Sequence, residues 1–269
     1  MAVATGHREQ RQSARLGTEN PALSQQAFAR ATAEVGVSAD AMTETGTYAK
    51  AGVLLAIVIA AATFGWTQVE VVPVGARRIA VEPAWVWLAF LISFLLGFAG
   101  VFAVRAGAVI APLYALSQGL ILGVGARYFD LQFEGIVLQA VVATVCVFCA
   151  TLLLYASGVI KVTSRLVLGV VVAMGALGVL YVTSWLLAIF GVSFRFFSEP
   201  TPLGIIFSLG VVVLGALSLP LDFEFIRRAA AGGAPKALEW YGAFGLLLSM
   251  LWMYVSILRL LALLRLARR

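Results

Sequence analysis

The chain has 269 residues, 62% of them hydrophobic and 12% charged, with a mean hydropathy of +0.99. That composition excludes an ordinary water-soluble domain, in which about half the residues are apolar and about a quarter charged. The net charge of +6 sits in short connections and at the chain ends, not on a basic groove interleaved with aromatics, so a lipid bilayer is the expected partner and nucleic acid is not.

Residues 1–48 are rich in Ala, Gln and Thr, with scattered Arg8, Arg11, Arg15, Glu9 and Glu19. They lack the apolar stretch of a signal peptide and are expected to form a polar, disordered cytoplasmic tail. Residues 49–269 are expected to form an all-α, polytopic bundle of seven transmembrane helices. The apolar runs fall at about 50–68, 84–104, 108–126, 134–157, 166–190, 202–223 and 244–265, each of about the length that crosses a hydrocarbon layer.

Connections carry turn formers and charge: Pro73, Gly75, Arg77 and Arg78 after the first run, Arg127 and Asp130 after the third, and Lys161 and Arg165 after the fourth. Ser198, Glu199 and Pro200 precede the sixth, and Arg227 to Lys236 with Gly232, Gly233 and Pro235 follow it. With the tail inside, the inner connections hold Arg30, Lys50, Arg105, Lys161, Arg165, Arg227, Arg228 and Lys236, against Arg77, Arg78, Arg127 and Arg195 outside. Seven full spans would place Arg265, Arg268 and Arg269 outside; a re-entrant segment would instead leave both ends in the cytoplasm. Gly119 and Gly123 form a small-xxx-small pair on the third run, and Gly169, Gly175 and Gly178 thin the fifth, which points to close helix contact at both.

Ionisable residues inside a span are costly and usually face the protein interior with a partner. Two stand out. Asp222 follows Pro220 near the end of the sixth run, where it is either a solvated helix end or an interior acid beside a proline-freed carbonyl. Arg259 belongs with Ser249, Trp252 and Ser256 to one helical stripe of the seventh run, which either turns inward or lets the arginine snorkel to the headgroups. Asp222 and Arg259 are expected to approach one another. Tyr114, Gln118 and Gln139 are weaker candidates, read as helix-to-helix hydrogen bonds.

No nucleophile and base pair, phosphate loop or metal-ligand cluster is visible, so neither an enzyme nor a resident cofactor is expected. The single histidine, His7, lies in the tail. Cys146 and Cys149, one turn apart in an apolar run without further ligands, read as packing residues.

Several segments together resemble the Bax inhibitor-1 and YccA family of membrane proteins, most closely its actinobacterial branch. They are Tyr155-Ala-Ser-Gly-Val-Ile-Lys-Val-Thr163, Ile205-Ile-Phe-Ser-Leu209, Leu221-Asp-Phe-Glu224, Gly233-Ala-Pro-Lys236 and Trp252-Met-Tyr-Val-Ser-Ile-Leu-Arg-Leu-Leu261. The likeness covers roughly residues 48–264. It implies a seven-helix bundle with the last helix near the centre, a cytoplasmic N-terminus and residence in a bacterial plasma membrane. It also implies either a pH-sensitive calcium leak, with Ca²⁺ as a transient ligand, or a regulatory role through a partner such as a membrane-bound AAA protease. In conducting relatives a carboxylate on the sixth helix faces one on the seventh, with an arginine from the second helix touching both. Asp222 matches the first carboxylate and Arg105 the arginine, while the second carboxylate falls on Ser256. Serine removes the like-charge pair whose mutual repulsion makes such a site titratable.

Overall fold

The computed structural model describes residues 41–74, 77–191 and 199–268. Within them are seven helices long and apolar enough to cross a membrane. They are α1 (Glu44–Thr67), α2 (Trp85–Phe102), α3 (Gly107–Gln132), α4 (Ile136–Ala156), α5 (Ser164–Ile189), α6 (Pro202–Ala231) and α7 (Leu238–Ala267). The expected disorder of residues 1–40, and the positions of Arg195, Ser198 and Arg269, lie outside the described residues.

Local chemistry sets the helix ends. Thr43, Thr163 and Thr201 stand at the N-caps of α1, α5 and α6, where each side-chain oxygen accepts an otherwise unmatched backbone N–H, from Gly46, Leu166 and Gly204 respectively. Pro202 occupies the first turn of α6, where its missing N–H costs nothing. The α3–α4 turn places Gly135 at φ 76°, and Asp130 Oδ1 accepts the Gly135 N–H at 3.0 Å.

Four boundaries differ by six residues or more from the sequence expectation, one of them the end of α3, which runs on through Arg127 and Asp130 to Gln132 instead of stopping at 126. α1 begins at Glu44, not 50, and residues 41–43 ahead of it are pinned to the α6–α7 turn by the Ala41–Pro235 bridge and by Met42 N–H donating to Ala234 O at 2.7 Å. The last residues of the expected 1–48 tail therefore belong to the bundle. α6 runs through Pro220 to Ala231, and α7 starts at Leu238 instead of 244. The α1–α2 connection, read as a plain loop, pairs as an antiparallel hairpin of β1 (Glu70–Val74) and β2 (Arg77–Val81), with Val72 opposite Ile79. Tyr128 of α3 donates to Ala80 O at 3.2 Å and holds the hairpin against the bundle.

The last helix is the axis of the fold. α7 packs on α1, α3, α4 and α6, and its apolar segment, with that of α3, is the most buried of the seven. Phe244 of α7 meets Tyr114 of α3 edge-on at 5.1 Å, and Phe223 of α6 gathers Tyr48, Phe148 and Tyr155 from α1 and α4. α1 and α3 approach most closely through the predicted small pair: a Cβ on Gly119 would stand 2.6 Å from Val58 O, and one on Gly123 2.0 Å from Ala62 O. The α5 glycines behave otherwise, since nothing lies within 4 Å of a Cβ on Gly169, Gly175 or Gly178. α5 packs chiefly on α6 and turns Leu168, Val172, Val179 and Val182 outward. Such exposed apolar faces, repeated on α2 and α4, are what a lipid-solvated surface requires.

Candidate polar cavities along the central helix

Because α6 continues past Pro220, Asp222 is an interior residue of its helix, only 2% exposed. This overturns the solvated-end reading. Pro220 supplies no N–H, so the carbonyl one turn earlier, on Ala216, loses its helix donor. In the same turn Ser218 bonds back to Gly215 O at 2.8 Å. Asp222 Oδ2 accepts a short hydrogen bond, 2.5 Å, from Ser249 Oγ of α7. That hydroxyl is the carboxylate's one partner among the described residues.

The Asp222–Ser249 pair lines a cavity of about 400 Å³. Tyr114 and Gln118 of α3, Met174 of α5, and Leu248 and Trp252 of α7 contribute to its walls. Two further cavities adjoin it. One of about 380 Å³, between α2 and α3, shares Tyr114 and Gln118 and contains Ser93, whose hydroxyl donates to Gln118 Oε1 at 2.6 Å. The other, of about 170 Å³, shares Trp252 and Val255 and holds Tyr181, Ser208, Ser256 and Arg259. The stripe predicted on the last helix thus lines two neighbouring cavities, with Trp252 between them.

Arg259 does not meet Asp222. Its Nη1 donates to Tyr181 OH of α5 at 3.2 Å. Ten residues separate Arg259 from Ser249, or about 15 Å of helix rise, too far for the guanidinium to fold back to Asp222. The expected Asp222–Arg259 pair is therefore replaced by two separate contacts. Ser256 is also displaced from its implied place: it stands two turns beyond Ser249 and donates to Trp252 O in its own helix at 2.8 Å. The α7 side chain that faces Asp222 is Ser249.

Arg105 is exposed on the 3₁₀ turn Val104–Ala106 between α2 and α3. Gly107 beside it packs against the backbone of Tyr241, which puts Arg105 about 12 Å of helix rise before Ser249 and outside the Asp222 cavity. The gate contact implied for it is not made.

Two ionic clusters lie at the end of the bundle that carries the α6–α7 turn, and the one around Glu239 went unread in the sequence. Glu239, 1% exposed, accepts from Thr43 N–H and Thr43 Oγ1, both at 2.9 Å, and pairs with Lys50. Its position ahead of the expected 244 start concealed it, where an acid reads as an ordinary connection residue. Glu224 binds Arg227 and Arg228 at 2.6 Å each and accepts from Tyr155 OH at 2.6 Å. The pairing of Glu224 with the arginines at i+3 and i+4 was foreseeable; the reach of Tyr155 from α4 was not.

Seven membrane-spanning helices with the last at the centre, and a buried carboxylate on the sixth turned toward it, define a polytopic helical-bundle membrane protein. The sequence of the whole bundle fits one family: the chain belongs to the Bax inhibitor 1 like family, whose model matches residues 10–266. No curated protein matches the chain.

Proposed function

We propose that this chain is a non-conducting regulatory protein of a bacterial plasma membrane, with its N-terminus in the cytoplasm, and that it is not an enzyme. It would act through a membrane-protein partner, for which the family resemblance suggests a membrane-bound AAA protease. The observation that carries this reading is the pairing of Asp222 with a serine hydroxyl. The proton-gated leak that the family resemblance implies uses two facing carboxylates that cannot both ionise, and here Ser249 faces Asp222 while Ser256 bonds to its own backbone.

The test is calcium flux into proteoliposomes loaded with a calcium dye. On this reading external Ca²⁺ leaves the dye dark at neutral and at acidic pH. Filling of the vesicles overturns it. The second reading, a cation leak, draws its support from the three adjoining cavities, each of which carries a few polar side chains in an apolar wall. It requires flux in the wild type that Asp222→Asn abolishes. Co-purification with a membrane AAA protease from gently solubilised membranes tests the partner.

A further inference from the structure

The Asp222 cavity has a side that the bundle leaves uncovered. α3 packs chiefly on α1 and α2, and α5 chiefly on α6, so between them a strip of α7 lacks a covering helix. Val255 on that strip is 44% exposed although α7 is the axis of the bundle, and Leu248, Ser249 and Trp252 below it are only partly buried. Ser249 stands eleven residues into α7, about 17 Å from its start. The opening therefore looks into the hydrocarbon layer, not into water.

The walls are apolar, with Met174, Leu221, Leu248, Leu251 and Trp252, and the polar groups are few and convergent: Asp222, Ser249, Gln118 and Tyr114. That is the make-up of a small-molecule site, a hydrophobic envelope with a handful of polar groups that fix orientation. Among the described residues no lysine or arginine lines it, and the carboxylate's hydrogen bond there comes from a neutral hydroxyl. A carboxylate in hydrocarbon is strongly stabilised by an ammonium that hydrogen-bonds to it. Calcium fits the site less well, since it takes six to eight oxygens, and among the described residues no three acidic or imidazole side chains converge.

From this juxtaposition of one buried carboxylate, an apolar envelope and a side door to lipid, we infer that the cavity binds a single-chain lipophilic amine, taken up laterally from the membrane. The ammonium is held by Asp222 and the neighbouring hydroxyls, and the chain lies along Leu248, Trp252 and Val255 toward the lipid. A phospholipid amine does not suit, because its headgroup stays in the interface while Asp222 lies beyond it. The inference does not rest on whether ions cross the protein.

The test is a thermal melt of the purified full-length protein in dodecylmaltoside, titrated with dodecylamine and, in parallel, with dodecanol. Dodecylamine should raise the melting temperature in a saturable way, and dodecanol should not. Asp222→Asn keeps the shape but removes the charge, and should weaken the response at least roughly tenfold, as expected when one partner of a buried charge pair is lost. Met174→Trp fills the cavity from α5 without touching Asp222 and should abolish the response, so the test holds even where Asp222→Asn does not fold. An equal rise with dodecanol, or an undiminished rise in either folded variant, overturns the inference. Native mass spectrometry of the wild type should show one bound dodecylamine per chain; several, with no preferred stoichiometry, would mean micelle partitioning and also overturn it.

Discussion

Replacing Glu239 with alanine should destabilise the bundle more than any other single change at the end that carries the α6–α7 turn. The carboxylate accepts two hydrogen bonds from Thr43 and the ammonium of Lys50, at a position that is itself 1% exposed. A hydrogen bond to a charged group contributes about 1.5–3 kcal/mol, and removing one member of a buried ion pair costs about 3–5 kcal/mol. The Lys50 side chain keeps 22% of its surface exposed, so water can resolvate part of its charge and the lower end applies. The expected loss is about 3 kcal/mol, or roughly 6–12 °C in melting temperature for a chain of this size. Glu239→Gln keeps an acceptor for Thr43 and loses only the charge, and should cost about half as much. Lys50→Met combined with Glu239→Leu should cost less than the sum of the two single changes, because neither charge is then left alone. A melting temperature for Glu239→Ala within about 2 °C of wild type, or strict additivity in the double variant, would refute the claim that this cluster fastens α1 to α7.

Three further outcomes follow from the geometry. Ser249→Ala should lower stability by about 2 kcal/mol in the same melt, since it strips a charged acceptor of its hydroxyl, whereas Ser256→Ala, which loses a bond only to its own helix, should cost under about 1 kcal/mol. Gly123→Val drives a side chain into the α1 backbone at Ala62 and should prevent stable purification or cost more than the about 3 kcal/mol usual for overpacking, while Gly169→Ala, which meets nothing, should leave the melt unchanged or raise it by up to about 1 kcal/mol. A cysteine at Ala41 and one at Arg268 should be labelled by an impermeant thiol reagent from opposite faces of oriented vesicles, because seven full-length spans separate them; labelling of both from one face would restore the re-entrant alternative.

The seven spans were legible because each is an unbroken apolar run, and lipid enforces such runs without regard to tertiary detail. What surrounds a span is far less legible. In a helix that is apolar on every side, periodicity cannot separate a lipid-facing glycine from a packed one, so Gly169, Gly175 and Gly178 looked like Gly119 and Gly123. The stripe on α7 was readable from its 3.6-residue spacing. Its height relative to α6 was not, because Ser249 and Ser256 occupy the same stripe two turns apart and only the docking of the helices selects between them. The hairpin after α1 was hidden by its shortness: Glu70-Val-Val-Pro-Val74 and Arg77-Arg-Ile-Ala-Val81 alternate too briefly, around a proline, to stand out from a loop. Asp222 was found by its rarity in a span, and Glu239 was missed because it sits just where polar residues are unremarkable.

The placement of α7 at the axis has a consequence for biosynthesis. Helices enter the membrane in chain order, and the one that α1, α3, α4 and α6 all lean on is the last of the seven to be made. Lys50 emerges 189 residues before the carboxylate that will hold it. Until then the faces destined for the core have only lipid or each other as company, and the nascent bundle is an open basket around an absent stave. Assembly is thereby timed to the completion of the seventh helix, and a chain cut short before Leu238 has its outer staves in place with nothing to close them.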